Sequence, residues 1–350
     1  MELSKKQKEI VESTEDKIIV IASAASGKTR ILTERAKWII DHGGNPNKMA
    51  LITFTNTAAE VMRERIGEKG NGMFIGTVHS LANYFLKSSG IDANEYIQQE
   101  KFDKLFELVK KNQYCIKQLD YILLDEAQDT DENQFEFILD MINPKKFFIV
   151  GDHRQLIYSF SMKKTDCFIN LAKNKEIKVY SLNENYRNGS NILAFAKRII
   201  EKNGQEYIDN SIPMSKEEGI VVELEYAPNK IIKLIERDNE YKNWFILTRS
   251  NRQLEEIIDI LNKAKIPCDT FKQADFSAKE LNEIMNKNSV KVLTIHSSKG
   301  LEADNVMVIG SIFYKFSERM VNYVAATRAK KKLYWFKNKP NQKTKIDVWE

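Results

Sequence analysis

The sequence predicts an α/β protein of two tandem domains, each with a mainly parallel central sheet. Three observations lead there: short runs apolar on both faces recur along the chain, stretches of helical pattern separate them, and 350 residues exceed one ordinary core. In the first half the runs are KIIVIAS (17–23), ALITFT (50–55), YILLDE (121–126) and KFFIVGD (146–152). In the second they are KVYSL (178–182), GIVVELEY (219–226), WFILTRS (244–250), VKVLTIHS (290–297) and NVMVIGS (305–311). The domains are expected at 1–174 and 175–350, with polar residues 201–219 as a surface connection and the tail after Trp335 frayed.

Composition narrows the class. A hydrophobic fraction of 42% with 29% charged residues is that of a globular protein, and no apolar run approaches the roughly 20 residues needed to span a bilayer, so no membrane partner is expected. Cys115, Cys167 and Cys268 lie far apart and form no CxxC pair, which argues against zinc, an iron–sulfur cluster or a disulfide framework. MELSKKQKEI has no apolar core after its lysines and is not a secretory signal, so a cytoplasmic location is expected. A net charge of +5 is compatible with a polyanionic partner but is shared by many proteins that touch none.

The first strand runs into Ala22, Ser23, Ala24, Ala25, Ser26, Gly27, Lys28 and Thr29, and a helical pattern follows from Arg30. Strand, small-residue loop and helix start are the context of a phosphate loop: backbone N–H groups cradle phosphates, a lysine reaches the β and γ oxygens, and a threonine hydroxyl meets Mg²⁺. Ala22 departs from the GxxxxGK[ST] pattern, and an alanine suits such a loop only where φ stays negative. Further on, Asp125 and Glu126 close an apolar strand. Asp125 suits Mg²⁺ and Glu126 the orientation and deprotonation of a water; acids at a strand end can also be plain helix caps.

From here the chain resembles the superfamily 1A DNA helicases of the UvrD/Rep/PcrA type, in order from Leu3 to about Trp335. The resemblance implies two RecA-like P-loop NTPase domains with ATP at the interdomain cleft. LSKKQKEIV is similar to the Q motif, which puts Gln7 at the adenine edge. ASAASGKTR is similar to motif I, with Ala25 where glycine is usual, a change expected to slow turnover. DEAQD matches motif II. VGDHRQLIYSF resembles motif III and makes Gln155 the γ-phosphate sensor. LNENYRNGSNIL resembles motif IV, with Tyr186 stacking on adenine and Arg187 on the γ-phosphate. IHSSKGLEAD resembles motif V, with Glu302 toward the ribose, and YVAATRAKKKL resembles motif VI, with Arg328 as arginine finger.

Two further segments resemble the family's DNA-contacting motifs, LITFTNTAAEVMRERI (51–66) and GTVHSLANYFL (76–86). By that resemblance Phe54, Tyr158 and Phe160 meet bases, Thr55, Asn56, Thr77 and His79 meet phosphates, and Arg249, Asn251, His296 and Ser297 contact the strand from the second domain. Stacking plus phosphate contacts holds a strand with little regard to sequence. Either Phe could instead be buried, and either His could instead be a hydrogen bonder at a domain interface. Thr57, Val78 and Ser161 stand where the family has a lysine, an aromatic ring and an arginine, so weaker single-strand binding is expected. The segment 87–119 is short for the first inserted domain, and only about 40 residues separate WFILTRSN from VKVLTIHSSKG, which leaves no room for the second.

The expected activity is ATP- and Mg²⁺-dependent movement along single-stranded DNA, 3′ to 5′ by resemblance alone, with unwinding at ss/dsDNA junctions. The alternative is a strand-dependent ATPase subunit that drives a protein partner, such as a nuclease in repair, recombination or phage defence. RNA is a third possibility, since DNA rests on family analogy.

Overall fold

The structure, a computed structural model, describes residues 2–158, 167–238, 240–310 and 315–337. Phe160 and Ser161 lie outside the described residues. Two compact units emerge, one running to Glu184 with Phe276–Ala278, the other holding the remainder.

The first unit begins with α1 (Lys5–Val11), whose start is a capping box: Ser4 accepts from the Gln7 N–H while the Gln7 side chain accepts from the Ser4 N–H. In chain order follow β1 (Lys17–Ala22), α2 (Lys28–Asp41), β2 (Met49–Ile52), α3 (Asn56–Ile66), β3 (Phe74–Gly76) and α4 (Val78–Ser88). Then come α5 (Asn94–Gln98), α6 (Phe102–Lys111), β4 (Tyr121–Leu124), α7 (Glu132–Phe135), β5 (Lys146–Gly151), α8 (Cys167–Ala172) and β6 (Lys178–Leu182). The strands form one parallel sheet in the order β3-β2-β4-β5-β1-β6. Ile18, Ile19 and Val20 of β1 are all fully buried, as a central strand covered on both faces requires.

One strand is placed differently from expectation here, and further elements are added. KVYSL, assigned by sequence to the second domain, is β6 and pairs with β1 from Ile18↔Lys178 to Ala22↔Leu182, so the division falls at Glu184 instead of residue 174. The strand β3 was missed because three residues are too few to show a period. The segment 87–119 contributes α5 and α6, and Leu105, Phe106 and Val109 pack with Phe85 and Phe137 into the first unit's core. Each such ring or aliphatic chain removed from water is worth about 1.5–3 kcal/mol, so this remnant is part of the core.

Across the division a short strand, β7 (Glu184–Asn185), is the neighbour of β8 (Ile212–Pro213), with α9 (Ser190–Ile200) between them in sequence. The second unit continues with β9 (Ile220–Glu225), α10 (Pro228–Glu236), β10 (Trp244–Thr248), α11 (Asn251–Lys263), β11 (Cys268–Asp269), α12 (Ala278–Asn286) and β12 (Val290–Thr294). It ends with β13 (Ala303–Ile309), α13 (Phe316–Ala326) and β14 (Ala329–Lys337). Its sheet is also parallel, in the order β11-β12-β10-β13-β14-β9. The strand β14 was hidden by three consecutive lysines at its start. It carries fully buried Leu333, Trp335 and Phe336, so the chain is still in the core at Phe336, where fraying was expected.

Candidate functional site

In a parallel sheet all strands end on the same side, and ligands bind beyond those ends. In the first unit the phosphate-loop segment follows β1, the VGD turn follows the adjacent β5, and the acid pair follows β4 beside it. The strand-contacting candidates follow β2 and β3, the remaining neighbours on that side. Sheet order therefore places the nucleotide candidates together and the nucleic-acid candidates next to them.

The loop itself is tightly held. The Ser23 N–H extends the ladder to the Leu182 carbonyl at 2.9 Å, and the Ser26 N–H turns back to the Ser23 carbonyl at 3.3 Å. Gly27 has φ 89°, and a Cβ there would lie 2.9 Å from Gln7 Nε2, so glycine is required both by conformation and by space. Ala22 keeps a negative φ, whereas Ala25 sits at φ 57°, a left-handed position that its side chain opposes. Gln7 is 2% exposed; its Oε1 accepts from the Ser4 N–H at 3.0 Å and its Nε2 donates to the Ser26 carbonyl at 2.9 Å. In this structure the Gln7 amide braces the loop. The Ser4-x-x-Gln7 capping pattern was the signal for this in the sequence.

Lys28 and Thr29 open α2, and the Thr29 hydroxyl donates to Asp125 Oδ2 at 3.4 Å. Burial and the neighbouring Glu126 push the Asp125 carboxyl well above the usual carboxylate range, against the pull of Lys28. Ser26 Oγ is buried with no partner. An orphaned hydroxyl inside the loop, a lysine and a buried acid beside a threonine form a donor set that fits a triphosphate with a hard divalent cation. Among the described residues no three His, Cys, Asp or Glu side chains cluster as metal ligands.

The turn after β5 is a buried polar knot. Arg154 Nε and Gln155 Nε2 each donate to the Asp152 carboxylate at 2.7 Å, and Arg154 Nη2 reaches Ser23 Oγ at 3.0 Å. Burial alone would raise the Asp152 pKa, but Arg154, then Lys28 and His153, with the bond from Gln155, hold it down to about 2. Gln155, the expected sensor, is 3% exposed and points at Asp152.

On the neighbouring half, Phe54 is 43% exposed and stacks on Tyr158 at 5.1 Å between ring centroids, so burial does not claim it. Thr55 and Thr77 cap α3 and α4, accepting from the Ala58 and Ser80 N–H groups at 3.1 Å; Asn56 is exposed beside the first. His79 stacks on Phe102 at 3.9 Å and meets Gln134 at 3.3 Å. Burial drives its pKa down to about 4, so it is neutral at physiological pH and brings no cation to a phosphate. A cavity of about 100 Å³ lies between Phe54, Thr77 and His79 on one side and Asp125 and Glu126 on the other. Thr57 and Val78 are both buried.

In the second unit Tyr186 is 43% exposed, as a stacking ring requires. Arg187 Nε donates to Glu302 Oε2 at 2.5 Å, and Lys330 binds the other oxygen at 2.7 Å. Burial would raise the Glu302 pKa, but Arg187 and Lys330 bring it to about 2. Arg328, 2% exposed, donates to the Val324 and Leu301 carbonyls and to Thr327 Oγ1 at 3.0 to 3.2 Å. Arg249, read as a strand contact, is taken up by both oxygens of Glu318 at 2.8 and 2.6 Å, so its charge is matched within the fold. Asn251 is exposed at the start of α11, while Ser297 Oγ bonds Thr294 Oγ1 at 2.9 Å in the turn that also holds His296.

A phosphate loop, a strand-end acid pair and a sensor turn on adjacent strands of one parallel sheet define the class: a P-loop nucleoside-triphosphatase fold, here followed by a second parallel α/β unit. Residues 7–161 match the AAA domain family, and residues 180–286 and 276–339 match the UvrD-like helicase C-terminal domain. The chain belongs to the UvrD/Rep/PcrA-type superfamily 1A helicases. It is 24% identical to DNA helicase II of Escherichia coli K12, over 95% of this chain and 59% of that protein. It is also 24% identical to the ATP-dependent DNA helicase PcrA of Staphylococcus epidermidis, over 81% of this chain and 53% of that protein. Gabija protein GajB of Bacillus cereus VD045 is 25% identical, over 90% of this chain and 92% of that protein. The chain thus spans between half and three-fifths of the length of the two helicases. Among the described residues no helix is long and apolar enough to cross a membrane.

Proposed function

We propose that this chain is an ATP-driven motor of the cytoplasm that moves 3′ to 5′ along single-stranded DNA and separates duplex at the junction. The observation that supports it best is the sheet order, which gathers Lys28, Thr29, Asp125, Glu126 and Gln155 beyond β1, β4 and β5, with exposed Phe54 one strand away. The loop N–H groups, Lys28 and Arg30 hold the phosphates, with Ser23, Ala24 and Ser26 small enough for their close approach. Thr29 and Asp125 would hold Mg²⁺, which would supply positive charge against that of the phosphates. Glu126 accepts the proton of the water that attacks the γ-phosphorus, the bond from that phosphorus to the β–γ bridging oxygen breaks as ADP leaves, and Gln155 reports on the released phosphate. Arg187 leaves Glu302 for phosphate oxygens and Arg328 adds a second guanidinium, while Tyr186 stacks on the base. Phe54 and Tyr158 stack on strand bases; Thr55, Asn56, Thr77, Asn251, His296 and Ser297 bond its backbone. The relatives' names as DNA helicases support DNA and the direction is carried by resemblance.

The test is ATP-dependent unwinding by the purified chain on duplexes with a 3′ or a 5′ single-stranded tail, with Lys28→Ala and Glu126→Gln as controls. Separation of only the 3′-tailed duplex by the unaltered chain is expected. Separation of the 5′-tailed duplex alone would refute the direction, and equal activity in Lys28→Ala would refute the site.

A second reading is a strand-dependent ATPase subunit that serves a partner such as a nuclease. The match to Gabija protein GajB, along 92% of that protein, is compatible with it. Native mass measurement together with the unwinding assay separates the two: a lone monomer with full unwinding removes the need for a partner.

A further inference from the structure

Two residues beyond the acid pair lies one to which no motif role has been assigned. Gln128 is 2% exposed; its Oε1 accepts from the Asp152 N–H at 2.8 Å, and its Nε2 donates to Glu126 Oε2 at 2.5 Å. A backbone N–H can only donate, so the oxygen of this amide must face Asp152, and the NH₂ group is thereby left facing Glu126. The orientation is fixed by chemistry. Glu126 itself has φ 49° and ψ 42°, a left-handed conformation that a non-glycine residue adopts only at a cost. Gly151 leaves room for the bridge: a Cβ at that position would lie 2.9 Å from Gln128 Oε1 and 2.9 Å from Phe168 Cζ.

We propose that Gln128 is a positioning residue for hydrolysis, one that holds Glu126 Oε2 and ties that carboxylate to the backbone of the turn after β5. This rests on the ATPase reading above. The chain of bonds runs from Glu126 through Gln128 to Asp152, and from the Asp152 carboxylate to Gln155 and, by way of Arg154, to Ser23 of the phosphate loop. Base, sensor turn and loop therefore share one buried network. Gln128 touches no reacting atom; its part is to set the angle of Glu126. A carboxylate displaced by about 1 Å from its water costs about 10²-fold in rate while leaving phosphate contacts alone.

The experiment is steady-state ATP hydrolysis with single-stranded DNA, alongside binding of a non-hydrolysable ATP analogue and thermal melting. It compares the unaltered chain, Glu126→Gln, Gln128→Met, which keeps length and burial without the amide, and Gly151→Ala, which keeps Gln128 and crowds its oxygen together with the Phe168 ring. The expected result is a fall in kcat of about 10²-fold in Gln128→Met and a smaller fall in Gly151→Ala, with KM and analogue affinity within about twofold of the unaltered chain. If Gln128→Met keeps kcat within threefold while Glu126→Gln is inactive, or if kcat and analogue affinity fall together, the proposal is overturned and the ATPase reading stands. Should Gln128→Met melt early, Gly151→Ala decides by the same split. Absence of hydrolysis in the unaltered chain would bring down the ATPase reading, and the role of Gln128 with it.

Discussion

Ala25 holds a left-handed φ of 57° in a loop where its Cβ opposes that conformation. Ala25→Gly is therefore expected to stabilise the chain by up to about 1 kcal/mol, the relief of strain outweighing the added freedom of the unfolded chain. A urea midpoint that rises at unchanged m value checks it; a lower midpoint would show that the loop holds alanine at no cost. His79 makes a second residue-scale prediction. Its folded pKa, near 4, lies below the ordinary 6.5 because of burial, so the unfolded chain binds the extra proton first. Its contribution to stability is present above pH 6.5 and is lost as pH falls toward 4. His79→Phe keeps a ring on Phe102 without a titrating group, and its stability should fall less than that of the unaltered chain between pH 6.5 and 4. Parallel curves would mean that His79 does not titrate there.

At the scale of elements, the pair Arg249–Glu318 ties the end of β10 to the first turn of α13, with the carboxylate 12% and the guanidinium 29% exposed. Removing one partner strands the other charge in a half-buried place. Arg249→Met should cost about 2–4 kcal/mol, and adding Glu318→Leu should recover part of it. Strand affinity of the double variant should stay within about twofold of the unaltered chain; a larger loss would return Arg249 to the nucleic-acid track. The strands that sequence missed have the same kind of cause. A three-residue β3 has no readable period, and the lysines of β14 obscure apolar residues that the sheet buries.

For the molecule as a whole, net charge is only +5, the positions where the family has a lysine and an aromatic ring hold the buried Thr57 and Val78, and Arg249 is paired with Glu318. Each phosphate neutralised on a single strand contributes about −0.7 to the slope of log affinity against log salt. A salt titration should accordingly give a shallower slope than E. coli DNA helicase II measured side by side. An equal slope would place the missing cations elsewhere on the surface.

The sequence by itself determined the α/β class, the loop after β1, the acids after β4 and the order of the motifs, because each depends on residues close in the chain: a buried parallel strand reads as an apolar run, and a phosphate loop needs its lysine and threonine at fixed offsets. Tertiary structure alone decided that KVYSL joins the first sheet, that Gln7 holds the Ser26 carbonyl, that His79 is neutral against Phe102, that Glu318 takes up Arg249, and that Gln128 joins Glu126 to Asp152. The physical reason is shared. Hydrogen bonds and burial depend on which groups the sheet order brings together, and residues as far apart in sequence as Arg249 and Glu318 carry no local pattern that announces their meeting.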